Sequence, residues 1–272
     1  MKIKKAWQSF ILIAVSVVTF GCSTTISGKS SDAVLQKHLL AGQQYKSGKD
    51  ELAIATWREV VASDPSYLEA WHNIAVVQEQ RLQDRAAAEA TLRSAVSKNP
   101  TNAPLRSALG GVLLNQGKID ESLAERQRAR ELAPTDPKII NSYASSCFSA
   151  QKFECALLGY NEVKKLEPDY RGIDFNRGLA LLALGQANDA AAAFKAGTER
   201  APLNSEAFGK LGDAYDASGE RNKAIDAYEA ALAIEPDLPW PSYNLGVLLQ
   251  ESNPNKSEQY YRTHLELSLI HI

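Results

Sequence analysis

The sequence is poor in histidine and cysteine, the residues on which many catalytic and metal sites are built. Its 272 residues include four histidines and three cysteines. No histidine stands in an HExxH motif or pairs with a cysteine at zinc-ligand spacing, and no GxSxG nucleophile elbow occurs. The segment SGKSS at 27–31 lacks the first glycine of a phosphate-binding loop. We therefore expect no enzyme, no metal site, no cofactor and no small-molecule substrate.

The chain also lacks a strong excess of charge of either sign. Its formal net charge is −2, and the only basic run is MKIKK at the N-terminus. Nucleic-acid-binding domains usually carry lysine and arginine clustered on one face. We therefore expect no nucleic acid partner.

Proline, in contrast, recurs with a fixed period. Six prolines stand 34 or 35 residues apart: Pro65, Pro100, Pro134, Pro168, Pro202 and Pro236. Twelve residues before each of them lies a small residue: Ala53, Ala88, Ser122, Ala156, Ala190 and Ala224. Small side chains at fixed offsets let two helices cross at close range, and proline ends the second helix. The period therefore predicts a repeated pair of helices.

One copy of the unit carries every signature position of a known repeat. These positions are Phe208, Leu211, Gly212, Tyr215, Gly219, Ala224, Tyr228, Ala231 and Pro236. The unit resembles the tetratricopeptide repeat (TPR), a helix–turn–helix of 34 residues. The resemblance implies an all-α, right-handed α-solenoid of about six complete repeats and a partial seventh, at 34–67, 68–102, 103–136, 137–170, 171–204, 205–238 and 239–266. The sequence departs from the pattern at Arg126, where an aromatic residue is usual, and at Arg177, where an aliphatic residue is usual.

The N-terminus resembles that of a bacterial lipoprotein. MKIKK is followed by the apolar run AWQSFILIAVSVVTF and then by Gly21-Cys22. The resemblance implies a signal peptide at 1–21, lipidation of Cys22 and a flexible tether over 22–33. Ser23 after the cysteine favours the outer membrane, with the protein facing the periplasm. Ordinary secretion and a retained membrane anchor are the alternatives.

In this family the first helix of each repeat lines a concave groove. The resemblance therefore implies a partner-binding surface that includes Leu114, Phe148, Phe175, Leu179, Leu182, Trp240 and Tyr243. The alternative is that some of these residues are only core between repeats. Cytosolic co-chaperones of the family hold a terminal carboxylate with basic residues and asparagines on these helices. Here those places hold His38, Gly42, Ser107, Gly111, Asn141, Ser145, Gly209 and Asp213, and no basic clamp is expected.

Two cysteines flank the turn of the fourth repeat. Cys147 and Cys155 stand about four residues on either side of Gln151, on helices that face each other. The spacing predicts a disulfide, which an oxidising periplasm would favour. The alternative is two buried thiols.

The sequence ends in LSLIHI, an apolar segment with no polar capping helix after it. We expect residues 267–272 to be a non-native tail. A genuine apolar tail packed on the last repeat is the alternative.

Together these features predict an outer-membrane-anchored periplasmic adaptor that binds protein partners in pilus, secretion or cell-wall machinery. Two alternatives stay open. The protein could be the substrate-recruiting arm of a larger enzyme, or a soluble secreted binding protein.

Overall fold

A computed structural model describes residues 32–270, and the side chains as far as residue 267. The described residues form fourteen α-helices and no strand. The helices are α1 Asp32–Lys46, α2 Asp50–Ser63, α3 Leu68–Val76, α4 Arg85–Lys98, α5 Ala103–Asn115, α6 Ile119–Leu132, α7 Pro137–Ser149, α8 Phe153–Leu166, α9 Ile173–Ala183, α10 Ala187–Arg200, α11 Ser205–Ala217, α12 Arg221–Ile234, α13 Pro239–Leu249 and α14 Pro254–Ile270. Each helix packs on the next, so the protein is an α-solenoid of seven helix pairs.

The turn inside each of the first six pairs depends on one residue in the left-handed region. These residues have φ between 54° and 78° and recur every 34 or 35 residues: Gly48, Gln83, Gly117, Gln151, Gly185 and Gly219. Glycine adopts this conformation without steric cost, which accounts for four of the six. Gln83 and Gln151 adopt it with a side chain.

Several first helices begin at a capping residue. The side chains of Asn102, Asp136 and Asn204 accept hydrogen bonds from backbone N–H groups at the starts of α5, α7 and α11. These bonds satisfy donors that the helix cannot satisfy internally. The capping residues stand two positions after the prolines of the repeat period, so each of these repeats starts at a defined residue.

Glycine on the first helix packs against an aromatic ring on the second. A Cβ atom at Gly178 would lie 2.6 Å from the ring of Phe194, and one at Gly212 would lie 2.6 Å from the ring of Tyr228. Gly246 makes the same kind of contact with Tyr261. The absence of a side chain at these glycines lets the two helices approach with the ring between them.

The spacing of 35 residues between Pro65 and Pro100 is one more than between the later prolines, and the second repeat contains this extra residue as a π-helical turn. This turn, Val77–Arg81, continues α3, and Gln78 within it is buried and accepts a hydrogen bond from Thr91 Oγ1 at 2.8 Å. A π-turn inserts one residue without ending the helix. The later repeats therefore keep their register despite the insertion.

A buried carboxylate explains the departure from the repeat pattern at Arg177. Asp174 is 3 % exposed, and three cations surround it: Lys164 at 2.8 Å, Arg177 at 3.3 Å and Arg200 at 3.4 Å. A buried carboxylate needs such partners. Arg177 therefore supplies charge where other repeats supply apolar volume.

Candidate partner-binding groove

The first helices of the repeats form one continuous surface. α3 contacts α5, α5 contacts α7, and α9 contacts α11, in addition to the contacts between consecutive helices. Neighbouring first helices thus share one side of the solenoid, which in stacked repeats is the concave side and is called the groove here. Side chains that point away from the paired second helix are available to a partner there.

The middle of the groove is apolar. Leu114, Phe148, Phe175, Leu179 and Leu182 are each neither buried nor fully exposed. Phe148 packs on the core of the fourth repeat, and Phe175, Leu179 and Leu182 pack on the core of the fifth. The sequence had left a groove role and a core role open for these residues. In the structure each of the last four has one side against the core and keeps the rest accessible.

Trp240 and Tyr243 lie at the C-terminal end of the groove. Trp240 covers Gly209 so closely that a Cβ atom there would overlap the indole ring, and Lys210 Nζ stands 4.7 Å from the ring centroid. Tyr243 is 48 % exposed, and its ring contacts those of Tyr261 and His264. Trp240 therefore closes the helix interface, whereas Tyr243 remains accessible.

Polar groups surround Asp213 in the sixth repeat. Its Oδ1 accepts a 2.8 Å hydrogen bond from the hydroxyl of Tyr228, and Asn244 Nδ2 donates to the same hydroxyl at 3.0 Å. Lys210 pairs with Asp213 at 2.8 Å. Burial, and next the charge of Asp213, raise the pKa of Tyr228, so its hydroxyl stays protonated. The charge of Asp213 is therefore compensated by Lys210, and its Oδ1 already accepts from the hydroxyl of Tyr228.

One basic residue reaches the groove from a second helix. Arg126 lies on α6, and its guanidinium extends between α5 and α7 to the backbone carbonyl of Ser142, 2.9 Å from Nη1. The prediction from sequence considered only first-helix positions and missed it. The signal was present in the sequence, because an arginine replaces the usual aromatic residue at this position.

The ring of His38 in the first repeat is packed in the fold, whereas His72 in the second repeat is exposed. The ring of His38 lies 4.8 Å from that of Tyr67 and 6.3 Å from that of Trp57. Burial lowers the pKa of His38. Within residues 32–267, no group of three or more histidine, cysteine, aspartate or glutamate side chains is placed to hold a metal ion.

A disulfide joins Cys147 and Cys155 across the turn of the fourth repeat. Their Cα atoms are 5.8 Å apart. Cys147 is fully buried, and Cys155 Sγ lies 3.6 Å from the hydroxyl of Tyr143. The oxidation state of the pair in the cell stays a prediction.

The two ends of the protein differ in what the structure describes. The predicted signal peptide, Cys22 and most of the tether lie outside the described residues. No helix in the described part is long and apolar enough to cross a membrane. At the other end, α14 continues into the predicted tail, and Leu267 is buried.

Comparison with protein families and solved structures identifies the repeat. Family models described as tetratricopeptide repeat match residues 43–103 and 79–145, and one described as TPR repeat matches residues 212–253. A search of curated proteins found no match.

Several solved structures share the fold. A tetratricopeptide repeat protein from Parabacteroides merdae has a TM-score of 0.66 and 11 % identity, over 87 % of this chain and 93 % of its own. MamA from Desulfovibrio magneticus has a TM-score of 0.58 and 22 % identity, over 61 % of this chain and 94 % of its own. YrrB, described as a TPR protein with an unusual peptide-binding site, has a TM-score of 0.56 and 19 % identity, over 66 % of this chain and 93 % of its own. At these identities the likeness concerns the fold.

Proposed function

Because the protein is an all-α tetratricopeptide-repeat solenoid, we propose that it is a non-catalytic adaptor whose concave groove binds a segment of a protein partner. The observation that carries the proposal is the apolar middle of the groove. Phe148, Phe175, Leu179 and Leu182 are anchored on the core yet remain partly accessible. Accessible apolar side chains on a rigid scaffold are typical of protein-binding surfaces. The peptide-binding site described for YrrB supports the same use of the fold.

We further propose that the adaptor works in the bacterial cell envelope. The charged start, the apolar run and Gly21-Cys22 support a lipid anchor at Cys22, which would hold the solenoid on the periplasmic face of the outer membrane. Partners in pilus, secretion or cell-wall machinery fit this location.

The anchor is tested by replacing Cys22 with serine and fractionating cells that express the full-length protein. We expect the variant to leave the membrane fraction or to remain unprocessed. A variant that is cleaved and bound to the membrane like the parent would contradict the lipid anchor.

The groove is tested by affinity capture of envelope proteins on the full-length protein in detergent. Leu182→Glu places a carboxylate among apolar contacts, which is unfavourable for an apolar partner. We expect it to reduce the captured partner about tenfold or more. Lys195→Glu, on the exposed face of α10, is the control and should change nothing. If folded Leu182→Glu captures the same proteins in the same amounts, the partner does not use this groove.

A further inference from the structure

The guanidinium of Arg126 has only neutral partners. Nη1 donates to the carbonyl oxygen of Ser142 and to Ser146 Oγ, each at 2.9 Å, and Nε points to the carbonyl oxygen of Ser107 at 3.5 Å. No carboxylate in the described part of the protein lies within ion-pair distance of it. Other arginines on the same helix are paired, as Arg130 is with Glu162 at 2.6 Å.

This charge is held in a largely buried place. Burial lowers the pKa of Arg126 to about 10, so the guanidinium still carries its proton at neutral pH. A cation removed from water without an anion is unfavourable. An anion supplied by a partner would relieve this cost.

Gly111, on the first helix α5, lies next to the free edge of the guanidinium. A Cβ atom at Gly111 would lie 3.3 Å from Nη2, the nitrogen that makes no hydrogen bond within residues 32–267. Asp213 occupies the position equivalent to Gly111 in the sixth repeat, where its carboxylate accepts from Tyr228. Tyr228 in turn is the equivalent of Arg126. At these two positions the third repeat thus has a hydrogen-bond donor, Arg126, but Gly111 offers it no acceptor side chain.

We propose that Arg126 binds a carboxylate of the partner segment, which enters the groove above Gly111, beside the apolar middle. The inference rests on the proposed function, since it specifies the chemistry of the segment that the groove takes. The carboxylate can belong to the side chain of an aspartate or glutamate, or to the C-terminus of a polypeptide. Both would place an oxygen at Nη2, and a guanidinium binds either with charge-assisted hydrogen bonds.

The proposal is tested by selecting random 12-residue peptides on the full-length protein in detergent. One displayed library ends in a free C-terminus, and the other is fused at that end. Selection is repeated on Arg126→Tyr, which restores the glycine–aromatic pair seen at Gly178–Phe194 and Gly212–Tyr228 and should therefore fold. Arg128→Tyr is the matched control, because it makes the same change on an exposed part of the same helix.

We expect the parent and Arg128→Tyr to enrich peptides with a carboxylate at one fixed place, and Arg126→Tyr to lose this preference. The library in which the preference occurs identifies a side-chain or a terminal carboxylate. A synthetic copy of the best peptide, with that carboxylate changed to an amide, should bind the parent about tenfold more weakly or worse. If Arg126→Tyr does not fold, equal binding of the acid and the amide by the parent would still overturn the proposal.

The two proposals fail in different ways. Peptides enriched without a carboxylate preference, or with one that Arg126→Tyr retains, would overturn the role of Arg126 and leave groove binding intact. If the parent enriches no peptide at all, both the carboxylate site and the peptide-binding groove are contradicted.

Discussion

Replacing Gly212 with alanine should destabilise the solenoid, although alanine is the better helix former. The new Cβ atom would lie 2.6 Å from two carbons of the Tyr228 ring. The ring cannot easily move away, because it is 1 % exposed and its hydroxyl is bound to Asp213 and Asn244. Forcing an extra methyl group into such a contact costs about 1–3 kcal/mol.

Two opposing effects set the net change. Alanine in a helix interior is favoured over glycine by about 0.5–1 kcal/mol. Displacement of Tyr228 would weaken its hydrogen bond to Asp213, a loss of about 1 kcal/mol. We therefore expect the free energy of unfolding to fall by about 1–3 kcal/mol.

Urea unfolding of the full-length protein, followed by far-UV circular dichroism, measures this change through the midpoint and the slope. Gly42→Ala is the matched control, since Gly42 lies in α1 and a Cβ atom there would meet no atom within 4 Å. The control should gain up to about 1 kcal/mol. If Gly212→Ala is as stable as Gly42→Ala, the ring contact does not limit the approach of the helices.

Three further predictions concern other contacts. Hydrogen bonds from Lys118 and then Arg93 lower the pKa of Glu89 from 4.5 to about 2. The contribution of Glu89 to the free energy of unfolding is therefore present above pH 4.5 and is lost as the pH falls toward 2. Glu89→Gln should lower the free energy of unfolding by about 1 kcal/mol at pH 7, after allowance for solvent screening. The unfolding midpoints of parent and variant should converge by about pH 2, and midpoints that stay apart would contradict the prediction. In the Cys22→Ser background, the denatured and unreduced protein should expose no reactive thiol to maleimide, and reduction should expose two; two labelled thiols before reduction would exclude the Cys147–Cys155 bridge. Gln83→Gly should stabilise the protein by about 0.5–1 kcal/mol, because it removes a side chain from a residue in the left-handed region. A lower melting temperature for this variant would contradict the prediction and show that the Gln83 side chain has a stabilising contact.

The fold could be predicted from the sequence because the same residue pattern occurs in each repeat. The proline period, the small residues at fixed offsets and the aromatic positions all indicate one helix pair, and the pairs follow in the structure. The 35-residue spacing from Pro65 to Pro100 indicates one extra residue in the second repeat, but the form that it takes was not predicted. A π-turn is a local change of the helical hydrogen-bond pattern to i→i+5, and no single residue type signals it.

The candidate site was less predictable from the sequence. The position of a residue in the repeat indicates which face of the helix it lies on, but not whether its side chain contacts the core, the groove or both. Phe175 belongs to the groove-facing set and yet also contacts Phe194, with ring centroids 5.6 Å apart. Arg126 belongs to a core position, and the length of its side chain takes the charge to the groove. The reach of a long side chain depends on what its neighbours leave open, here Gly110 and Gly111.

The buried side chains of the solenoid form a series of separate clusters, not one core. One cluster spans residues 34–77, another 75–113, and others follow over 123–180, 181–227 and 224–248. Small rotations at the interfaces between successive helix pairs, here called joints, therefore add up along the axis of the solenoid. The groove can therefore widen or narrow over its whole length while no single joint moves far. A tensile load along the axis would be shared among the interfaces between successive helix pairs.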